Sequence, residues 1–313
     1  MHHVLFLTGC ICTLMLVWFG VSFHSAWVMA VIVVSVCVLG IPHGGLDHLS
    51  GKKWLAPTWG SYWFVPFGSV YLGIAVVTVA GWLIYPFMTA ISFFIISANH
   101  FGREQQLDKL ASRWNVIRAI GSGGLVIWVP AWMRPAEMTQ VLQAILPQSI
   151  GSSGETIVDG TQVLSLLFIP VAIVDAVHAI TSATVRSQGG FDFAIRQLTL
   201  AVISAVAPIP FSFCLFFCGW HSIRGLNQLM KDHHMTLREL VWASLPMTLG
   251  AIGLCALGMW FWQSGRELST ELTRTLFLGL SGMAVPHLVL HDIIPQMARR
   301  TDGLHRLPIQ GAA

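Results

Sequence analysis

Apolar residues run in long blocks along this chain, and polar residues gather in the gaps between them. A helix needs about 20 apolar residues to cross a bilayer, with 17–25 usual. Blocks of that kind fall at 4–20, 24–41, 61–84, 87–100, 116–132, 161–184, 211–230, 237–262 and 273–294, and a shorter one follows residue 191. Pro86 separates the third block from the fourth, because a helix rarely runs through the residue before a proline. Residues 191–230 are too many for one crossing, and Pro208-Ile209-Pro210 divides them. The pattern predicts an all-α, polytopic transmembrane helical bundle of about ten spans, in the range eight to ten. The whole chain, 1–313, reads as one integral membrane domain. The stretch 134–160 is the longest without a span, and 136–146 within it predicts a short surface helix.

Composition strengthens this picture. The chain is 55% hydrophobic and 10% charged, against about 25% charged in soluble domains, which leaves too little polar surface to cover a water-soluble globule of this size. The net charge of +3 gives no reason to expect a nucleic-acid partner, since the basic residues lie between the apolar blocks. Their distribution sets an orientation instead, because cytoplasmic loops collect Lys and Arg. With the N-terminus cytoplasmic, Lys52 and Lys53, the 103–118 loop, Arg186 and Arg196, Lys231 and Arg238, and the tail with Arg299, Arg300 and Arg306 all fall inside. The acidic 134–160 stretch falls outside. The expectation is a multi-pass protein of the cell inner membrane with both termini cytoplasmic and no obligatory protein partner. The start has neither a basic leader nor a small-residue cleavage pattern, so 4–20 reads as a retained span. The six cysteines form no C-x-x-C pair and read as packing residues.

Ionisable residues inside such blocks change the reading from architecture to chemistry. Ile41-Pro42-His43-Gly44-Gly45-Leu46-Asp47-His48 closes the second block. Downstream come Asn99-His100-Phe101-Gly102-Arg103-Glu104, Asp175-Ala176-Val177-His178, Gly219-Trp220-His221-Ser222, and Pro286-His287 to His291-Asp292. An Asp at mid-bilayer costs about 2.5–3.5 kcal/mol on insertion scales, so such residues mark function by default. Seven histidines, His43, His48, His100, His178, His221, His287 and His291, sit in or beside spans. A single histidine on an apolar helix is usually a satisfied core residue. Seven on several helices point to a metal site inside the bundle, built from at least three of them. Imidazole without thiolate suits iron or copper. Ligating histidines donate their other N–H to a carboxylate, and Asp47, Glu104, Asp175 and Asp292 are spaced to accept it. Glu104 and Asp292 lie nearest the span ends, where a helix cap is the plain alternative, whereas Asp175 lies deeper. The aromatic residues belong to membrane belts and packing, or line a tunnel for an apolar substrate taken from the bilayer. No P-loop, nucleophile elbow or haem-attachment motif occurs.

Four of these stretches, Pro42-His43-Gly44-Gly45-Leu46-Asp47, Asn99-His100-Phe101-Gly102, Trp220-His221-Ser222-Ile223-Arg224 and Pro286-His287, resemble in order and spacing the Brp/Blh family of bacterial and archaeal membrane β-carotene 15,15'-dioxygenases. The resemblance covers most of the chain. It implies a non-haem Fe(2+) held by histidines, with O2 and an apolar carotenoid as partners and two retinals as product. It also implies His43, His100 and His221 as metal ligands with His287 as the fourth; His291, one turn after His287, or His178 is the alternative this chain itself offers for a further nitrogen. There are departures. Family members often carry a second histidine four residues after the one in the Trp-His-Ser stretch, where this chain has Gly225. The acidic position after His-Phe-Gly is shifted, with Arg103-Glu104 in its place. They leave open a related carotenoid or apocarotenoid as substrate, or a carotenoid-binding protein without catalysis. A transporter using the His and Asp residues as a polar pathway is the rival of another class.

Overall fold

The computed structural model describes residues 2–20, 26–105, 112–146, 153–261 and 267–294. The basic tail, residues 147–152 of the long polar stretch, and residues 106–111 of the basic loop lie outside them. Every regular element among the described residues is a helix. In order these are α1 (His2–Trp18), α2 (Ala26–Ser35), α3 (Ile41–Gly44), α4 (Asp47–Trp59), α5 (Phe64–Ile84), α6 (Pro86–Arg103), α7 (Ser112–Gly123) and α8 (Leu125–Met133). There follow α9 (Pro135–Ile145), α10 (Ser153–Thr181), α11 (Ala183–Ser187), α12 (Gly190–Val206), α13 (Ile209–Phe216), α14 (Ile223–Asp232), α15 (Leu237–Phe261) and α16 (Leu268–Leu288). Wider π-helical turns occupy Val36–Gly40 between α2 and α3, Phe217–Ser222 between α13 and α14, and Val289–Ile293 after α16.

Local sequence explains the boundaries. Pro86 opens α6 and Pro135 opens α9, at the position where a missing N–H costs nothing. Ser182 caps α11 with its hydroxyl. Gly189, with φ of +98°, supplies the left-handed turn that leads into α12. The N-terminus of α13 has a partner far away in sequence. The Ile209 N–H donates to Glu137 at 2.8 Å, and Arg134 pairs with that same carboxylate and also donates to the Val206 carbonyl. A negative charge belongs at that end of a helix.

Among the described residues five segments are long and apolar enough to cross a membrane: Trp27–Tyr62, Phe64–Ile84, Ser153–Thr181, Leu237–Phe261 and Leu268–Asp292. The bent pair Trp114–Gly123 and Leu125–Met133 makes a sixth if counted as one. The expected block at 116–132 is therefore broken at Gly124, with a 54° bend. Trp128 fills the space a Cβ on Gly124 would take, and its indole donates to the Ile120 carbonyl. α1, α6, α12 and α13, each expected to span, are shorter or more polar than this measure asks. The predicted surface helix 136–146 is present as α9, but it is built in rather than lying on the surface: Met138, Leu142 and Ile145 pack with Trp82, Ile157 and Ile209.

A second core joins α1, α6, α12 and α13 through Phe6, Phe101, Leu200, Phe216 and Trp220. Elsewhere large apolar side chains face outward. Val77 is 71% exposed and Leu166 64% exposed, a surface that suits lipid and not water.

Candidate metal centre

Three of the site's histidines sit at or beside a π-helical turn. His43 follows the turn at Val36–Gly40, His221 lies within Phe217–Ser222, and His287 comes just before Val289–Ile293. Such turns are rare and gather at functional sites, because the extra residue re-aims the side chains around it. The fourth, His100, comes from the last turn of α6.

All four imidazoles are buried and meet in one place. Ring centroids lie 4.9 Å apart for His43 and His221, 5.1 Å for His43 and His287, 5.2 Å for His100 and His221, and 5.4 Å for His100 and His287. Each of three rings hands its Nδ1 proton to a carboxylate. His287 donates to both oxygens of Asp47 (2.8 and 3.0 Å), His221 to Glu104 (2.9 Å), and His100 to Asp292 (3.0 Å). A hydrogen bond at Nδ1 fixes the tautomer that carries a lone pair on Nε2, the arrangement found behind metal-ligating histidines. His100 Nε2 and both ring nitrogens of His43 are buried without a hydrogen-bond partner. An unpaired buried polar atom is costly, and a nitrogen of His100 and one of His43 left unpaired within the cluster fit a bound cation. Glu104, His43 and His221 offer donor atoms within 4.8 Å of one another, as do Asp47, His287 and His291. The residues therefore suit a metal ion.

The carboxylates are themselves held. Asp47 also accepts from His291 Nε2 (2.9 Å) and from the Tyr71 hydroxyl (2.9 Å), so three donors from α5, α16 and the turn after it fix one buried aspartate. Arg103 reaches Asp292 at 3.3 Å. Phe101 meets the His221 ring edge-on at 4.9 Å, and Phe217 stacks on it at 5.6 Å.

Of the remaining candidates, His291 adjoins the cluster and the others lie apart. His291 touches the cluster through Asp47 and is half-buried. His48 donates to the Gly45 carbonyl within its own turn. Asp175 sits on α10 against Arg118, at 2.5 Å, and half-buried His178 follows one turn later. Neither joins the two groups of metal-capable residues among the described residues. Tyr71 and Arg103 were not singled out by the sequence. A hydroxyl ten residues inside the apolar block 61–84, in a chain with three tyrosines, was the available signal for Tyr71.

The site opens on a cavity of about 830 Å³. All four histidines line it, and most of the remaining wall is apolar, from Trp63, Phe67 and Leu72 on α5 and its approach to Met138 and Ile145 on α9. Gly45 lets α15 close over the site: a Cβ there would stand 3.1 Å from the Thr248 hydroxyl and 3.2 Å from the Ser244 carbonyl. Gly225 has a similar duty, since its missing Cβ would lie 2.0 Å from His43 Cε1.

Residues 34–294, the stretch that carries every one of these side chains, match the family described as Beta-carotene 15,15'-dioxygenase. The chain belongs to that family. Its relatives include a protein named Beta-carotene 15,15'-dioxygenase from an uncultured marine bacterium (66A03), 26% identical over 268 residues that cover 83% of this chain and 91% of the relative. Another, named Probable beta-carotene 15,15'-dioxygenase Blh, is from Halobacterium salinarum. It is 27% identical over 297 residues, 87% of this chain and 85% of its own. No solved structure matches the chain.

Proposed function

We propose that this membrane protein is a carotenoid-cleaving dioxygenase that splits the central double bond of β-carotene, or of a related carotenoid, with O2. One C=C bond and one O2 become two C=O groups, so two retinals leave and nothing else is consumed. The reading rests on family membership together with one observation: four buried imidazoles converge, three backed by carboxylates and the fourth with both ring nitrogens unpaired.

His43, His100, His221 and His287 are the ligands in this reading. Iron fits the donor set, because imidazole and carboxylate suit it and zinc has no redox chemistry to offer O2. When bound, Fe(2+) supplies the activation of O2 that a closed-shell alkene cannot provide. The rest falls to the chain. Asp47, Glu104 and Asp292 hold the rings in orientation and keep a lone pair on each Nε2. Trp63, Phe67 and Leu72 offer a substrate without polar groups the only thing it can bind, apolar area. The same wall excludes bulk water from the reacting bond. A transport pathway would need a continuous polar route, and this cavity wall is mostly apolar. The reading places the chain in the cytoplasmic membrane, both termini inside, taking its substrate from the bilayer.

Expression in a β-carotene-producing host tests it. Loss of β-carotene matched by close to two retinals per molecule lost is expected. Carotenoid loss without retinal, or no loss from correctly folded protein, would contradict it.

A further inference from the structure

Tyr71 places a hydroxyl in the middle of an apolar helix. The chain's other two tyrosines, Tyr62 and Tyr85, flank α5 and are 71% and 69% exposed, as tyrosines at a membrane surface are. Tyr71 lies between them on the cavity wall, its ring 5.5 Å from that of Phe67. A hydroxyl so placed is costly unless it is bonded. Its oxygen stands 2.9 Å from Asp47 Oδ2 and 3.3 Å from the Met283 carbonyl. It has one proton to give, and the shorter contact, to a charged acceptor, takes it. Asp47 thereby accepts from three donors, Tyr71, His287 and His291, and is itself only 3% exposed.

We propose that Tyr71 is a positioning residue that sets the reduction potential of the bound iron, acting through Asp47 and His287. This rests on the iron site of the reading above. Each hydrogen bond that Asp47 accepts draws negative charge off its oxygens, so less of that charge is felt at the His287 Nδ1 proton. His287 then stays closer to a neutral imidazole and gives the metal less electron density. A less electron-rich ligand favours Fe(2+) over Fe(3+), and hydrogen bonding behind a ligand is one of the levers that set a potential. Fe(2+) is the state from which the proposed reaction starts. Asp47 facing His287 with fewer donors would pull the other way. The Tyr71 hydroxyl thus lets a carboxylate orient the ring without driving the iron to Fe(3+).

The test is a redox titration of the iron in the purified full-length protein, without carotenoid, for the wild type, Tyr71→Phe and Phe67→Leu. Tyr71→Phe deletes one oxygen and keeps the ring. At a fixed ambient potential its Fe(2+)/Fe(3+) ratio should fall about three- to tenfold, which for a one-electron couple is a potential lower by about 30–60 mV. Its iron content should match that of the wild type. Phe67→Leu removes the neighbouring ring and leaves the hydroxyl, so its potential should stay at the wild-type value. An unchanged potential in Tyr71→Phe would overturn the proposal, as would iron lost from that folded variant or an equal shift in Phe67→Leu. A wild type that holds iron and forms no retinal would sink the dioxygenase reading, and a shifted potential in Tyr71→Phe would still establish this role. A folded wild type that binds no iron would overturn both.

Discussion

The His43 imidazole occupies the space that a side chain at position 225 would need. A Cβ on Gly225 would come within 2.0 Å of Cε1 and 2.4 Å of Nδ1. Gly225→Ala should therefore push His43 out of the cluster and lower iron content toward that of His43→Ala, in protein that still elutes as a single species. Iron analysis of the two variants side by side checks this, and full iron loading of Gly225→Ala would contradict it. Asp47 is the other residue on which several contacts converge. Asp47→Ala removes the acceptor shared by His287, His291 and Tyr71, and should weaken iron binding about 10–100-fold, measured by chelator competition. That these histidines gather was legible, because imidazoles at the ends of apolar blocks have no bland explanation in that number. Their pairing was not. His287 and Asp47 are separated by 240 positions, and no local pattern says which carboxylate will back which ring. Asp175 shows the converse: its depth in a span suggested a place near the metal, and the partner that makes this depth tolerable is Arg118.

At the scale of elements, two glycines set how closely α6 and α7 approach. A Cβ on Gly102 would lie 1.9 Å from the Ala119 carbonyl oxygen, and one on Gly123 2.1 Å from that of Ala98. Backbone, not a flexible side-chain end, is what would have to move. Gly102→Ala should cost about 1–3 kcal/mol, as overpacking does, and lower the melting temperature in detergent by several degrees. It should also disturb His100, two residues earlier on the same helix, so iron loading should fall with stability. A melting curve that matches the wild type would contradict the close-contact account. Helix type and most helix cores could be read from apolar blocks and prolines. The π-helical turns could not, because their cause is tertiary: the turn serves the aim of His221 or His43, and the local sequence is as apolar as an ordinary helix would be. The bend at Gly124 was equally hidden, since 116–132 is apolar on both sides of it. The expected eight to ten spans exceed the five or six segments that meet the length and polarity of a crossing among the described residues, because apolar length alone does not separate a crossing from a buried, broken or shortened helix.

For the molecule as a whole, the helices enclose a mostly apolar cavity whose wall includes a ring of imidazoles. Gly250 on α15 lines that cavity, and a Cβ there would meet nothing within 4 Å. Gly250→Phe should fill this space without touching the metal site. The expected result is unchanged iron content with kcat/KM for β-carotene reduced by about tenfold or more, the scale at which pocket shape discriminates. Unchanged kinetics would place the substrate elsewhere. The membrane class, and a cluster of residues able to hold a metal, could be read from composition and histidine placement. The shape of the cavity was not, because its wall draws on ten or more helices and turns from across the chain.

The central claim is that His43, His100, His221 and His287 together hold one iron. The direct measurement is iron content of the purified protein, with X-ray absorption at the iron edge, for the wild type and for His43→Ala/His221→Ala. The account predicts close to one iron per chain in the wild type, a first shell dominated by histidine nitrogen, and almost no iron in the folded double variant. Iron retained by that variant, or a folded wild type that binds none, would contradict it.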